Sequence, residues 1–144
     1  MTTRTPAGPT AETTAQKLGR IVLGSFMTFA GISHLTFARD EFAAQVPPWV
    51  PVPTDVVVLA SGVVEIALGA SMIVMTKRRA IVGLVLAAFF VAIFPGNIAQ
   101  WMHHRDAFGL TSDRARLVRL FFQPVLVVWA LWSTGAWRFL GRRN

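Results

Sequence analysis

The chain has 144 residues, 53% of them hydrophobic, and a mean hydropathy of +0.52, which is room for one domain and too apolar for an ordinary soluble one. Its 14 Lys and Arg against 7 Asp and Glu give a formal charge of +7, but the basic residues fall between apolar runs, which points away from nucleic acid and toward topology signalling. With no cysteine, the chain has no disulfide, no thiolate metal site and no thiol redox chemistry of its own, so a redox role requires a bound cofactor or a partner.

Residues 1–16 are rich in Thr, Ala and Pro without an apolar period and predict a disordered cytoplasmic tail. The membrane domain is expected over 17–138, followed by a basic cytoplasmic tail at 139–144. Its first span, about 21–38, lacks Asp, Glu, Lys and Arg and would reach about 27 Å as a helix, close to a bilayer core. A cleaved signal peptide is the rival, but the run is long, has no clear small-x-small cleavage site and precedes three similar runs, so it reads as an uncleaved helix.

Pro47, Pro48, Pro51 and Pro53 remove too many backbone donors for a helix between the first two spans, so 39–54 reads as a loop. Phe42, Val46 and Trp49 recur at spacings of four and three, and predict a turn or two of helix on the membrane surface with Trp49 as interfacial anchor, in preference to a lid over a substrate. The second span, about 55–75, is interrupted by Glu65 and ends at Lys77, Arg78 and Arg79. The third, about 80–102, is uncharged throughout. A polar segment follows, and the fourth span, about 117–137, carries Arg119 near its start and Trp129, Trp132 and Trp137 toward its end.

The expected fold is all-α, an integral membrane four-helix bundle. Nine basic residues fall in the N-terminal segment, the Lys77–Arg79 turn and the C-terminal tail, against five in the other connections: Arg39, Arg105, Arg114, Arg116 and Arg119. The positive-inside rule therefore places both termini in the cytoplasm.

Each span carries one strongly polar side chain between the middle and the outer edge: His34, Glu65, Asn97 and Gln123. An acidic group near the bilayer centre costs about 2.5–3.5 kcal/mol unless it faces a partner or a cavity, so Glu65 should point into the bundle. Ser61, Gly62 and Gly69 share its face, where another helix or a ligand can approach closely. Glu65 then either binds a ligand or makes an interhelical hydrogen bond to Gln123 or His34. For His34, a single histidine near the outer end of a helix, a packing role is favoured over a ligand role, and a haem shared with His103 or His104 is disfavoured because these lie beyond the third span, about 10 Å or more from its layer. The His103–His104 pair with Asp106 is a weak surface-metal signal, and no metal site is assigned. Pro95 predicts a break in the third span and leaves the Val91 carbonyl without a helical donor, with Asn97 either compensating it or binding a ligand. Arg119 and Gln123 share a face of the fourth span. Arg119 either pairs with Glu65 or snorkels to the outer headgroups.

Taken in order, Gly31 and His34, Phe42 with Val46–Trp49, Gly62 and Glu65, Pro95 and Asn97, and Arg119 and Gln123 give the chain, over about 18–137, a pattern that resembles the DoxX-like family of small four-helix bacterial membrane proteins. One departure is the proline often found between the Arg and Gln, which here follows as Pro124. The resemblance implies a membrane subunit of a redox assembly, as in thiosulfate:quinone oxidoreductases or complexes with superoxide dismutase and a sulfurtransferase. The leading expectation is an accessory subunit, not an enzyme on its own and with no catalytic residue, whose outward-facing pocket of His34, Glu65, Asn97, Arg119 and Gln123 binds a small lipophilic molecule such as a quinone. Its expected surroundings are the lipid bilayer and a soluble or membrane redox partner, with the oligomeric state left open. Two alternatives remain: a proton-coupled transporter using Glu65, and a purely structural anchor whose polar layer serves packing.

Overall fold

The structure is a computed structural model and describes residues 11–141. Among them six α-helices occur, α1 (Thr14–Leu35), α2 (Arg39–Ala43), α3 (Thr54–Val74), α4 (Arg79–Met102), α5 (Asp113–Thr134) and α6 (Trp137–Leu140), with a 3₁₀ turn at Thr76–Arg78. The four long helices are each long and apolar enough to cross a membrane, the pattern of a multi-pass membrane protein. Each packs on its neighbours in sequence, and α5 returns to α1, so α1, α3, α4 and α5 form a closed up-and-down ring.

Helix ends are set by capping chemistry that the charge-free runs do not reveal. The Thr13 hydroxyl accepts from the Gln16 amide at 3.1 Å, and the Gln16 side chain accepts from the Thr13 amide at 3.1 Å, a reciprocal cap that starts α1 at Thr14. The first span thus starts seven residues before the expected position and ends at Leu35 instead of Ala38. Of the expected tail, residues 1–10 lie outside the described region, as do 142–144 of the basic tail. The Ser112 hydroxyl accepts from the Ala115 amide at 3.2 Å and starts α5 at Asp113, ahead of the expected 117. At the other end Gly135, at φ +73°, takes the left-handed conformation that stops α5 at Thr134. The break expected at Pro95 is not there: α4 runs helically through it.

The α1–α3 contact is a seam of small residues. A Cβ on Gly24 would stand 2.8 Å from the Gly69 carbonyl oxygen, and one on Gly31 would stand 2.6 Å from that of Gly62. Each pair of glycines is spaced by seven residues, two turns, so the antiparallel backbones meet twice. Below the seam Leu23, Met27, Met72, Leu86, Phe90 and Leu126 fill the centre of the bundle. Phe29, Val63, Ile81, Val118 and Phe121 point outward and are exposed, the apolar coat that a lipid environment requires.

At the end of the bundle bearing the short turn, Arg20 is buried and donates to the Met72 and Ile73 carbonyls, two of the last-turn acceptors that α3 cannot satisfy internally. Its guanidinium also pairs with Glu12 at 2.7 Å. The Trp129 indole donates to the Gly19 carbonyl at 3.0 Å and Gln16 to the Trp132 carbonyl at 3.1 Å, tying α5 to α1 at the same end.

Candidate functional site

The opposite end carries the two long connections, 36–53 and 103–112, and beneath them lies a cavity of about 480 Å³. All four long helices line it. His34 comes from α1, Ser61 and Glu65 from α3, Phe90 and Ile93 from α4, and Arg119 and Gln123 from α5. Its volume lies in the range of small-molecule sites, and its walls are mainly apolar and aromatic with a few convergent polar groups. Phe26 and Ala92 also line it, and both are mid-helix residues exposed on the flank of the bundle, so the cavity communicates with the lipid-facing side.

Helix geometry brings His34 and Glu65 together. Side chains lean toward the N-terminus of their own helix, and in the antiparallel α1–α3 pair those directions converge. His34 Nδ1 lies 3.1 Å from Glu65 Oε2. It is also 2.8 Å from the Ala30 carbonyl oxygen, an acceptor only, so Nδ1 carries the proton and donates it there. Glu65 Oε2 is thereby left buried without a hydrogen bond, although the whole side chain is only 8% exposed. Phe42 of α2 stacks on the imidazole from above, with ring centroids 3.2 Å apart.

On the α5 side, Gln123 is almost wholly buried and bonds through both ends of its amide. Nε2 donates to the Phe90 carbonyl at 2.8 Å, while Oε1 accepts from Asn97 at 3.1 Å and from Arg119 at 3.2 Å. The carbonyl tended beside the proline is thus that of Phe90, through Gln123, and not that of Val91 through Asn97. Asn97 stands behind Gln123 and is not part of the cavity wall. Of the two roles open to Arg119, the ion pair with Glu65 does not form. The Arg119 guanidinium instead pairs with Gln123 and lies 5.9 Å from the centre of the Phe122 ring.

The connection containing α2 packs over the bundle mouth. Val46 is buried, and an added Cβ on Gly96 would stand 2.5 Å from the Gln45 carbonyl oxygen, so the Pro95–Gly96 step makes room for backbone of the cover. Gln45 donates to Gln100 at 3.1 Å, and Arg105 donates to the Ala44 and Val46 carbonyls at 3.3 and 2.9 Å. The Arg105 donors satisfy non-helical backbone of this connection at the bundle mouth. From the second connection, the Phe108 amide donates to Glu41 at 2.6 Å and its ring meets Phe42 edge-on at 4.7 Å. Phe108 holds φ at +53°, a left-handed conformation uncommon outside glycine, so its placement over the cavity is enforced by these contacts. Trp49 lines the cavity while remaining largely exposed, so it serves the cover as well as facing outward.

Arg116 is buried and holds the second connection, donating to the Arg105 carbonyl at 3.1 Å and pairing with Asp106 and with Asp113 at 2.8 Å. His104 pairs with Asp113 at 2.6 Å, so the suspected His103, His104 and Asp106 grouping does not assemble. Sequence reasoning counted Arg20, Arg105 and Arg116 only as topology signals, and it missed Gln45, Gln100 and Phe108 altogether. An arginine beside an apolar run looks the same in sequence whether it faces water or caps buried carbonyls.

No curated protein and no solved structure matches the chain. Residues 23–134, which contain every residue lining the cavity, match a family described as a domain of unknown function (DUF8561), and the chain belongs to that family.

Proposed function

We propose that the chain is an accessory subunit of a membrane redox assembly that holds a small lipophilic molecule, of the quinone class, in the covered cavity between its helices. The observation that carries this reading is the pairing of an aromatic, lipid-accessible cavity with polar groups whose hydrogen-bonding capacity is unspent: the Glu65 carboxyl on one wall and the Arg119 guanidinium on another. A flat aromatic ring with oxygens on opposite edges fits between Phe42, Phe90 and Phe108, and Arg119 has further N–H donors free for one of those oxygens. The chemistry such a group supplies is electron carriage. This chain's residues would bind it, orient it and exclude water. The resemblance to DoxX-like proteins supports the redox setting, a bacterial inner membrane and a redox partner protein, and the nine-to-five distribution of basic residues supports both termini in the cytoplasm.

A proton-coupled transporter needs a site that opens alternately to both faces. Beneath the cavity Leu23, Met72 and Leu86 are fully buried, so the cavity ends above them in this conformation. Native mass spectrometry of the full chain, wild type beside Ala30→Phe, tests the proposal. Ala30 lines the cavity, and a phenyl group there occupies its space. A lipophilic aromatic retained by wild type and lost from the variant is expected. Wild-type protein that retains none, even after incubation with a short-tailed ubiquinone, would remove the proposal.

A further inference from the structure

A second hollow, which shares no lining residue with the covered cavity, lies where α4 ends and α5 begins. It is an open groove of about 570 Å³, with Trp101, Met102 and Leu117 as its apolar side and His104, Asp113 and Arg114 as its polar side. Trp101 and Met102 close the apolar run of α4, so the groove lies where a hydrocarbon layer gives way to headgroups, the level at which Trp collects. Val118 and Phe121 continue the faces of Arg114 and Leu117 one turn further along α5, and both are exposed, so acyl chains can run on from the groove along the flank of the bundle.

The polar side is built by a contact across the two helix ends. His104 takes φ +52° and its amide turns back to the Trp101 carbonyl at 3.3 Å, while its imidazole meets Asp113 Oδ1 at 2.6 Å. Arg116 donates to the same oxygen at 2.8 Å. Asp113 Oδ2 has no partner among the described residues, and it remains an acceptor on an exposed carboxylate that is ionised at neutral pH. Arg114 stands one residue on. Of the arginines at this end of the bundle, Arg39 pairs with Asp55, Arg105 and Arg116 donate to carbonyls and Arg119 holds Gln123. Arg114 is exposed and has no hydrogen-bond or ion-pair partner among the described residues. A free negative acceptor and a free positive fork of donors thus flank an apolar surface that opens to lipid.

We propose that the groove is a headgroup site for a phospholipid of the ethanolamine type, with the phosphate on the Arg114 guanidinium and the ammonium on Asp113 Oδ2. Opposite charges one residue apart match a zwitterion whose phosphate and ammonium are joined by a two-carbon link, and the guanidinium fork suits phosphate oxygens. A glycerol headgroup offers Asp113 only hydroxyls and no positive charge. A choline headgroup carries the charge but no N–H. With a single indole the groove lacks the aromatic cage that selects trimethylammonium, so discrimination rests on the N–H donors that Oδ2 accepts. The site stands whatever the covered cavity holds.

The test is native mass spectrometry of the full chain, delipidated in detergent and titrated with dioleoyl phospholipids that differ only in headgroup: ethanolamine, N,N-dimethylethanolamine, choline and glycerol. The dimethyl form keeps one N–H and choline keeps none. Ion pairs this exposed are worth a few-fold each, so affinity should fall about three- to fivefold at the choline step and not before it. Asp113→Asn should erase that step. Because Asp113 also holds His104 and Arg116, the headgroup series on wild type decides the matter if that variant misfolds. Arg114→Gln should weaken every headgroup about three- to fivefold and keep the step. Equal affinities across the series, a preference for glycerol, or binding indifferent to Arg114→Gln overturns the assignment. Lipid that is lost from Ala30→Phe sits in the covered cavity and overturns it as well.

Discussion

Replacing Gly31 by alanine tests whether the α1–α3 seam positions the His34–Glu65 wall. The new methyl would sit 2.6 Å from the Gly62 carbonyl oxygen, 2.7 Å from Ile66 Cγ1 and 2.8 Å from the Ile66 amide nitrogen. Comfortable separations are about 3.5–4.0 Å, so the overlap is about 1 Å, and two of the three atoms are helix backbone that no rotamer change can move. The helices must separate locally. Overpacking of this kind costs about 1–3 kcal/mol, whereas alanine regains about 1 kcal/mol of helix propensity, so the net effect is a destabilisation of up to about 2 kcal/mol. Gly62→Ala strains the same contact, so the double variant should lose clearly less than the sum of the two. Gly141, with nothing within 4 Å of an added Cβ, is the control. Unfolding in mixed micelles followed by circular dichroism reads the stabilities. A Gly31→Ala protein more stable than wild type, or strict additivity with Gly62→Ala, would refute the seam as the element that fixes the approach of the two helices.

Three further expectations follow from the same contacts. The hydrogen bond from Arg20, aided by the positive charges of Arg20, Arg79 and Lys17, holds the Glu12 carboxyl below its ordinary range against a smaller opposing effect of burial. Its folded value is thus lower than its unfolded one, so its contribution is complete only above the ordinary glutamate value of 4.5 and is lost as pH falls through the folded value, and Glu12→Gln should flatten the melting temperature against pH below about 5. Gln123→Leu leaves the buried Phe90 carbonyl and the Asn97 amide without their partner, and should cost about 1–3 kcal/mol in the same unfolding assay; a stability unchanged from wild type would show that Gln123 does not tie α5 to α4. Gly96→Ala drives a methyl against the Gln45 carbonyl and should lift the cover, seen as faster amide hydrogen exchange over residues 42–50 with α1 and α5 unaffected.

Four apolar runs, each close to a bilayer in length, determined four long helices from sequence alone, because lipid leaves backbone polar groups no other partners and apolar length is a local property. The same logic picked out His34, Glu65, Arg119 and Gln123, since polar side chains in such runs must face inward, and the fold gathers these four around one cavity. How they pair was not legible. Glu65 meets His34 and not Arg119 because the glycine seam draws α1 against α3 while α5 stands across the ring. Asn97 and Gln123 looked equivalent, but one packs behind the other. The four prolines of 47–53 announced a loop, and only the tertiary structure made it a cover, because its fit depends on Gly96, Gln100 and Arg105, residues about fifty or more positions away in the chain. Composition and periodicity determine which side chains must avoid lipid. Which partners satisfy them is decided where helices distant in sequence meet, since hydrogen bonds are directional and act over only a few ångströms.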